Sequence, residues 1–238
     1  TLKEAFKDNP NFLRKYLYAD WSAVDMINQL ISSEVIISSA ERIENGLEVT
    51  SMGIDVARYG DDKTVFTILK NSNIELIESY EQTSITEIVT RSIQLIHDYN
   101  IDPNYVGIDS VGVGAGVVDN LKSAGYDVIE LQGGSKPEES QYEEAFLPFN
   151  LRSQMYYELR RDMMNGQIGN LTDETLKLEL QSIQYEIYSD KKVKVISKEA
   201  IKKLLGRSPD YADSLVYANW VKTYRGGIKW YMAISGGL

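Results

Sequence analysis

The stretch Met52–Phe66 (MGIDVARYGDDKTVF) constrains the chain most. Ser51–Ala57 reads as an apolar strand with one carboxylate, Asp55, set into it. Arg58–Lys63 is a polar break carrying Gly60, and Thr64–Leu69 is β-branched and apolar again, so two strands joined as a hairpin are expected. Aspartate is disfavoured in strands, and a buried charge needs a partner. A metal ion is one natural partner for Asp55; a backbone donor at the turn is the other.

The pattern extends in both directions. Glu48–Ala57, Lys63–Lys70 and Asn73–Tyr80 read as three successive strands, the last two joined by the tight turn Asn71-Ser72-Asn73. Thr86–Tyr99 has helical apolar spacing, Tyr105–Ile108 is a short strand ending in Asp109, Val113–Lys122 is a helix and Asp127–Leu131 a strand. An antiparallel meander followed by alternating strands and helices predicts an α/β fold: a central mixed five-stranded sheet, three antiparallel strands and then two parallel ones, flanked by helices. Gly133–Glu144 is a polar, acidic loop. Asn150–Met164 and Thr172–Ser182 are helices, and Gln184–Tyr188 with Lys191–Ile196 forms an extra β-hairpin about Ser189-Asp190. Lys198–Leu205 and Asp210–Tyr224 are the last helices. Thr1–Gly46 reads as a helical lead-in with a break at Asn9-Pro10. The chain opens on Thr1 rather than Met, as expected of a segment of a longer protein.

Composition removes several chemistries. The 238 residues contain no Cys and one His, His97, so thiolate sites, disulfides and a His-rich zinc site are excluded. No run of about 18 apolar residues exists, and no membrane partner is expected. A net charge of −10 argues against a protein that coats DNA nonspecifically. A local basic strip is nevertheless present: Lys191–Arg207 carries seven basic residues and one acid, Glu199.

Two further acids share the character of Asp55. Asp109 closes an apolar strand and precedes Gly112, Gly114 and Gly116, which allow a tight strand-to-helix turn and close backbone approach. The spacing lacks the G-x-G-x-x-G of a nucleotide loop, and no Lys-Ser/Thr pair follows. Asp210 and Asp213 open the last helix after Ser208-Pro209, on one face of its first turn. An acid there is stabilised by the helix dipole alone, which suffices for Asp210; Asp213 borders the apolar stripe of Tyr211, Leu215 and Ala218. A strand Asp, a strand-end Asp and a helix Asp form a set able to hold two divalent ions about 3.5–4 Å apart for phosphoryl hydrolysis. Ligation by carboxylates alone suits Mg²⁺ or Mn²⁺.

Three motifs in order resemble the nuclease domain of the large terminase subunit of tailed bacteriophages: Gly53-Ile-Asp55-Val-Ala-Arg58-x-Gly60-x-Asp62-x-Thr64-Val65, Ile108-Asp109-x-x-Gly112-Val-Gly114-x-Gly116-Val-x-Asp119-x-Leu121, and Ser208-Pro209-Asp210-x-Ala212-Asp213-Ser-Leu215. Asn150-Leu-Arg152-Ser-Gln-Met-Tyr156-Tyr-x-Leu159 resembles that family's helix after the acidic loop. The resemblance implies an RNase H-like fold over residues 48–225 and a metal-dependent endonuclease that cuts concatemeric double-stranded phage DNA. It implies Asp55, Asp109 and Asp213 as catalytic metal ligands, with Asp210 auxiliary. Residues 1–47 would be a linker following an ATPase domain that has no counterpart here, and 226–238 a C-terminal tail. Implied partners are DNA, that ATPase domain, a small terminase subunit and a portal, in the cytoplasm of the host cell. Arg58, Lys191, Lys192, Lys194, Lys202 and Lys203 are the candidate DNA contacts. Two other classes compete: an actin-like or sugar-kinase-like nucleotide enzyme, which needs about twice this length, and a non-catalytic DNA- or portal-docking module.

Overall fold

The computed structural model describes residues 28–40, 48–57, 62–138, 147–188, 192–225 and 228–229. Strands β1 (Thr50–Asp55), β2 (Lys63–Lys70), β3 (Asn73–Glu81), β4 (Val106–Asp109) and β5 (Ile129–Leu131) form one sheet in the order β3-β2-β1-β4-β5. The β1–β2 and β2–β3 pairs are antiparallel, and the β1–β4 and β4–β5 pairs are parallel. This is the mixed sheet that the strand and helix pattern predicts. The β2–β3 turn places both Asn71 and Ser72 at positive φ, a geometry that matches the twist of the flanking strands.

Seven α-helices are described: α1 (Ser33–Ser38), α2 (Ile85–Asp98), α3 (Val113–Ser123), α4 (Leu151–Met164), α5 (Glu174–Ser182), α6 (Lys198–Leu205) and α7 (Asp210–Thr223). Helix α2 starts at a capping box, in which the Ser84 hydroxyl accepts from Glu87 N and Glu87 accepts from Ser84 N. Its apolar face joins that of α3 over Met52, Ile54, Phe66, Ile68, Val106 and Ile108 of the sheet. Helix α7 lies on the other face, against β1, β2 and β4, with α4 and α5 outside it. Leu215, Val216, Tyr217, Ala218, Trp220 and Val221 are all buried, as expected of a helix with protein on every side.

Period-two alternation decides what β1 shows each layer. Met52 and Ile54 enter the α2–α3 core, whereas Ser51, Gly53 and Asp55 face α7. The Ser51 hydroxyl donates to Ala218 O at 2.9 Å, and Thr67 pairs with Ser214 at 2.7 Å. Gly53 and Gly107 stand side by side in the β1–β4 register, and both would collide with α7 if they carried a Cβ. The helix can therefore lie directly on the strand backbones.

The expected extra hairpin is present as β7 (Tyr185–Ile187) and β8 (Lys192–Val195). Leu147–Pro148 adds a short parallel strand, β6, on the free edge of β8. Two residues with a proline give no strand signal in the sequence. The final helix ends at Thr223, one residue before the expected Tyr224, which instead pairs as β9 (Tyr224–Arg225) with β10 (Ile228–Lys229). Leu30, Ile31 and Ile36 belong to the same buried cluster as α4, α5 and α7, and Leu30 N donates to Ile183 O. Residues 28–40 thus share the core of the segment that follows residue 47. Most of the expected helical lead-in, residues 1–27 and 41–47, lies outside the described residues.

A buried polar cluster closes the far end of α7. Lys222 Nζ lies 3.3 Å from both Ser72 Oγ and Gln167 O, and Asn219 donates to Asp162 at 2.9 Å. Burial lowers the Lys222 ammonium to about 8, with Asp162 opposing the shift. Above pH 8 the folded protein sheds a proton that the unfolded chain, near its ordinary value of about 10.4, still holds. Lys222 therefore makes stability rise with pH, by about 2 kcal/mol between pH 8 and 9.5. Urea denaturation at pH 7.5 and 9.5 is expected to show a rise in the parent that exceeds the change in Lys222→Met by this increment; Glu179, pushed up to about 8 by burial, acts in the opposite sense in both proteins and cancels in the comparison. The window ends there because burial raises Tyr156 and Tyr217, which act in the opposite sense above pH 10.

Candidate active site

The β1–β4 register pairs Gly53 with Gly107 and Ile54 with Ile108. Continued by one residue, it sets Asp55 and Asp109 at the carboxyl ends of adjacent parallel strands, on the face covered by α7. Neighbouring strands lie about 4.8 Å apart, so the two side chains leave the sheet close together. Above them is the first turn of α7, with Asp210 and Asp213. Asp55, Asp210 and Asp213 are all buried.

The glycines after Asp109 have separate functions. Gly112 caps α3 at φ +66°, a left-handed conformation. A Cβ on Gly114 would sit 1.7 Å from Asp109 O, so this glycine lets α3 begin against the end of β4. The run is a tight strand-to-helix turn that holds Asp109. The Asp109 carboxylate accepts from Val111 N at 3.1 Å.

At the centre of the acids is a cation that the sequence reading did not single out. Lys198 Nζ lies 3.2 and 3.1 Å from the two oxygens of Asp55 and 3.0 Å from Asp213 Oδ2. Asp213 Oδ1 accepts from the Tyr156 hydroxyl at 2.6 Å and from Arg152 Nη2 at 3.3 Å. Arg152 also donates to Ile196 O, tying α4 to the approach to α6. Asp210 Oδ2 accepts from Lys63 N at 2.8 Å, which pins the start of β2 to the start of α7. Glu179 of α5 accepts from Ala212 N at 2.9 Å, so a buried carboxylate serves a free amide in the first turn of α7.

These contacts split the acids electrostatically. Burial pushes the Asp55 carboxyl well up; Lys198 opposes this, while Asp213, Asp210 and Asp109 add to it. Burial acts in the same sense on Asp213, but Lys198, Arg152 and the Tyr156 hydroxyl outweigh it and hold this carboxyl below its ordinary value. Burial raises Asp109 and Asp210 as well. Four acids crowded at one place cannot all ionise cheaply without a positive charge among them. As the side chains stand, no three acidic side chains among the described residues surround a common metal position. The position between Asp55 and Asp213 is held by the Lys198 ammonium, which stands in for a cation. Among the described residues, Asp213 Oδ2 is met by the Lys198 ammonium at 3.0 Å. An all-oxygen donor set around a point charge fits a hard divalent ion.

Lys198 and Arg152 were legible by one signal. Each is a basic residue in the first turn of a helix, where the dipole opposes a positive charge. Such a placement is disfavoured unless an anionic partner offsets it, and both share Asp213.

The candidate DNA contacts are dispersed. Lys192 and Lys203 are exposed, Lys194 lies over the rings of Phe149 and Tyr188, and Lys202 pairs with Asp62 at 2.7 Å. Arg58 and Lys191 lie outside the described residues. His97 bonds the Tyr126 hydroxyl at 2.8 Å on the outer surface of α2.

No family model and no curated protein matches the chain. Solved structures do match it. The nuclease domain of the large terminase subunit gp2 of bacterial virus Sf6 is 21% identical with a TM-score of 0.68, covering 80% of this chain and 97% of that domain. The large terminase nuclease from thermophilic phage G20c, with bound magnesium, is 19% identical with a TM-score of 0.55, covering 82% and 97%. Other structures of the Sf6 domain hold manganese or calcium, and others of the G20c nuclease hold cobalt or zinc. The chain has the RNase H-like fold of large terminase nuclease domains.

Proposed function

We propose that this chain is the endonuclease domain of a DNA-packaging terminase, cutting concatemeric double-stranded phage DNA with a pair of Mg²⁺ or Mn²⁺ ions. The observation that carries the reading is the convergence of the buried Asp55 and Asp213 on one cation, with Asp109 on the adjacent strand end. Asp55, Asp109 and Asp213 would hold the metals, and Asp210 would assist from the same helix turn. When bound, the ions supply an activated water and stabilisation of the leaving 3′ oxygen. The protein contributes position: β1 and β4 fix two carboxylates in register, and Glu179 and Lys63 fix the helix turn bearing the others. Arg152 and Tyr156 keep Asp213 ionised and aimed. The exposed Lys192 and Lys203 would meet the DNA backbone, together with Lys194, Lys202, Arg58 and Lys191.

The RNase H-like fold and the acidic centre together support this reading over a docking module, in which buried, mutually repelling carboxylates would serve nothing. An N-terminal ATPase domain, a small subunit and a portal would complete the motor in the host cytoplasm. Supercoiled plasmid incubated with the protein in Mg²⁺, in Mn²⁺ and in excess chelator tests it. Nicking and linearisation are expected with either metal and not in chelator, and Asp55→Asn is expected to lower the rate at least about 10³-fold. DNA binding without cleavage in either metal would instead favour a docking module.

A further inference from the structure

The three-stranded sheet β6-β8-β7 carries a feature that the acidic centre does not use. Phe149, just after β6, and Tyr188, just after β7, bring their rings to 5.1 Å between centroids at 47°. Lys194 Nζ of β8 lies 4.9 Å from the Phe149 centroid and 5.4 Å from that of Tyr188. Both rings are open to solvent, at 38% and 45% exposure, as is Leu147 beside them. The strand register explains the grouping. Tyr188 N donates to Lys192 O and Phe149 N donates to Val193 O, so the rings flank β8 from either side. Val193 and Val195 turn into the core, which leaves Lys192 and Lys194 on the outer face, with Glu186 opposite Lys194.

The hydrophobic core takes in neither ring, and the chain's own contacts leave both partly open to water around one lysine. We propose that Phe149, Tyr188 and Lys194 form a stacking platform for an unpaired nucleotide of a single-stranded DNA segment next to the cutting site. This rests on the nuclease reading above. An intact duplex keeps its bases stacked inside and offers only phosphates, for which lysines alone suffice. Aromatic faces with a cation above them suit an unstacked base followed by its phosphate. The location agrees with this. Four residues of chain lead from Lys194 to Lys198 at the acidic centre, a reach of at most about 14 Å. A single strand covers that distance in at most about four nucleotides, the number when stacked as in a duplex at roughly 3.4 Å each, and in fewer when unstacked. A strand end freed by cutting, or frayed before it, would reach the platform.

The test is binding in excess chelator, where cleavage cannot interfere, using a 15-nucleotide oligo(dA) and a blunt 15-base-pair duplex as fluorescent probes. Phe149→Ala and Tyr188→Ala are each expected to weaken single-strand binding about 5- to 10-fold and duplex binding less than 2-fold. Phe149→Leu keeps the apolar bulk and is expected to behave as the alanine variant does. Lys194→Ala is expected to weaken both probes and to reduce the salt dependence by about one ion. Unchanged melting temperatures will establish that the variants are folded. Equal loss on both probes, or none, overturns the proposal. So does a wild-type dimer in sedimentation that Phe149→Ala dissociates, because the patch would then bind a second copy. Plasmid cleavage by the same variants separates the readings: absence of cleavage in the parent with an intact single-strand effect rejects the nuclease and keeps the platform.

Discussion

Lys198→Ala is expected to lower the stability of the metal-free protein by about 2–4 kcal/mol and to make divalent ions restore it. The ammonium lies within 3.2 Å of oxygens on both Asp55 and Asp213, whose side chains are 3% and 1% exposed. Removing one partner of a buried ion pair typically costs about 3–5 kcal/mol, because the charges left behind stay desolvated. The lower figure expected here reflects the 34% exposure of the Lys198 side chain. Two remaining features limit the damage to Asp213, which keeps Arg152 and the Tyr156 hydroxyl. For Asp55, Lys198 is the cation that opposes the upward push of burial on its carboxyl. Asp55 is therefore expected to take up a proton in the variant.

A metal ion reverses the sign of the same substitution. In the parent, an incoming Mg²⁺ or Mn²⁺ must displace the ammonium, whereas in Lys198→Ala it meets carboxylates with no competing cation. Thermal melts in chelator and in millimolar Mn²⁺ are expected to show a larger metal-induced rise for the variant than for the parent. Isothermal titration is expected to give tighter Mn²⁺ binding. Lys198→Arg keeps a cation and is expected to resemble the parent in chelator. Equal metal-induced rises in parent and variant would mean that Lys198 and the ions do not share one position.

Part of this was readable from residues alone, and the division has a physical cause. The mixed sheet and the strand-end acids were legible because local signals dominate there: β-branched runs, the Asn71-Ser72 turn and glycines at strand ends. A repeated tetrapeptide marks the paired strand ends. Met52–Asp55 and Val106–Asp109 are both an apolar residue followed by Gly-Ile-Asp, and they lie in register on paired strands beneath one helix. Lys198 is one of seven basic residues in the strip Lys191–Arg207, and a sequence does not say which lysine of a run turns inward. Its position at a helix start, against the dipole, separates it from Lys202 and Lys203 one turn later. The β6 strand and the burial of Leu30, Ile31 and Ile36 depend on contacts distant in the chain and left no local trace.

Gly53→Ala is expected to remove at least about 3 kcal/mol of stability, shifting the melting point down by roughly 6–12 °C, and to abolish cleavage before it abolishes folding. A Cβ at this position would lie 2.0 Å from Ser214 O and 2.4 Å from Ala218 N. Both are backbone atoms of a buried helix, so no rotamer change relieves the clash, and α7 must move outward as a body. The movement strains the hydrogen bonds from Ser51 to Ala218 O and between Thr67 and Ser214. It also carries Asp213 away from Asp55, and a displacement of about 1 Å between reacting groups costs about 10²-fold in rate. Gly116→Ala is the matched control, because its Cβ would meet the Ile85 Cδ1 methyl at 3.2 Å, an atom that can rotate aside, and a helical position gains from the exchange. It is expected to stay within about 1 kcal/mol of the parent. Urea denaturation and plasmid cleavage of the two variants side by side measure whether α7 must rest on bare backbone for the four acids to meet. A Gly53→Ala protein with parental stability and rate would show that it need not.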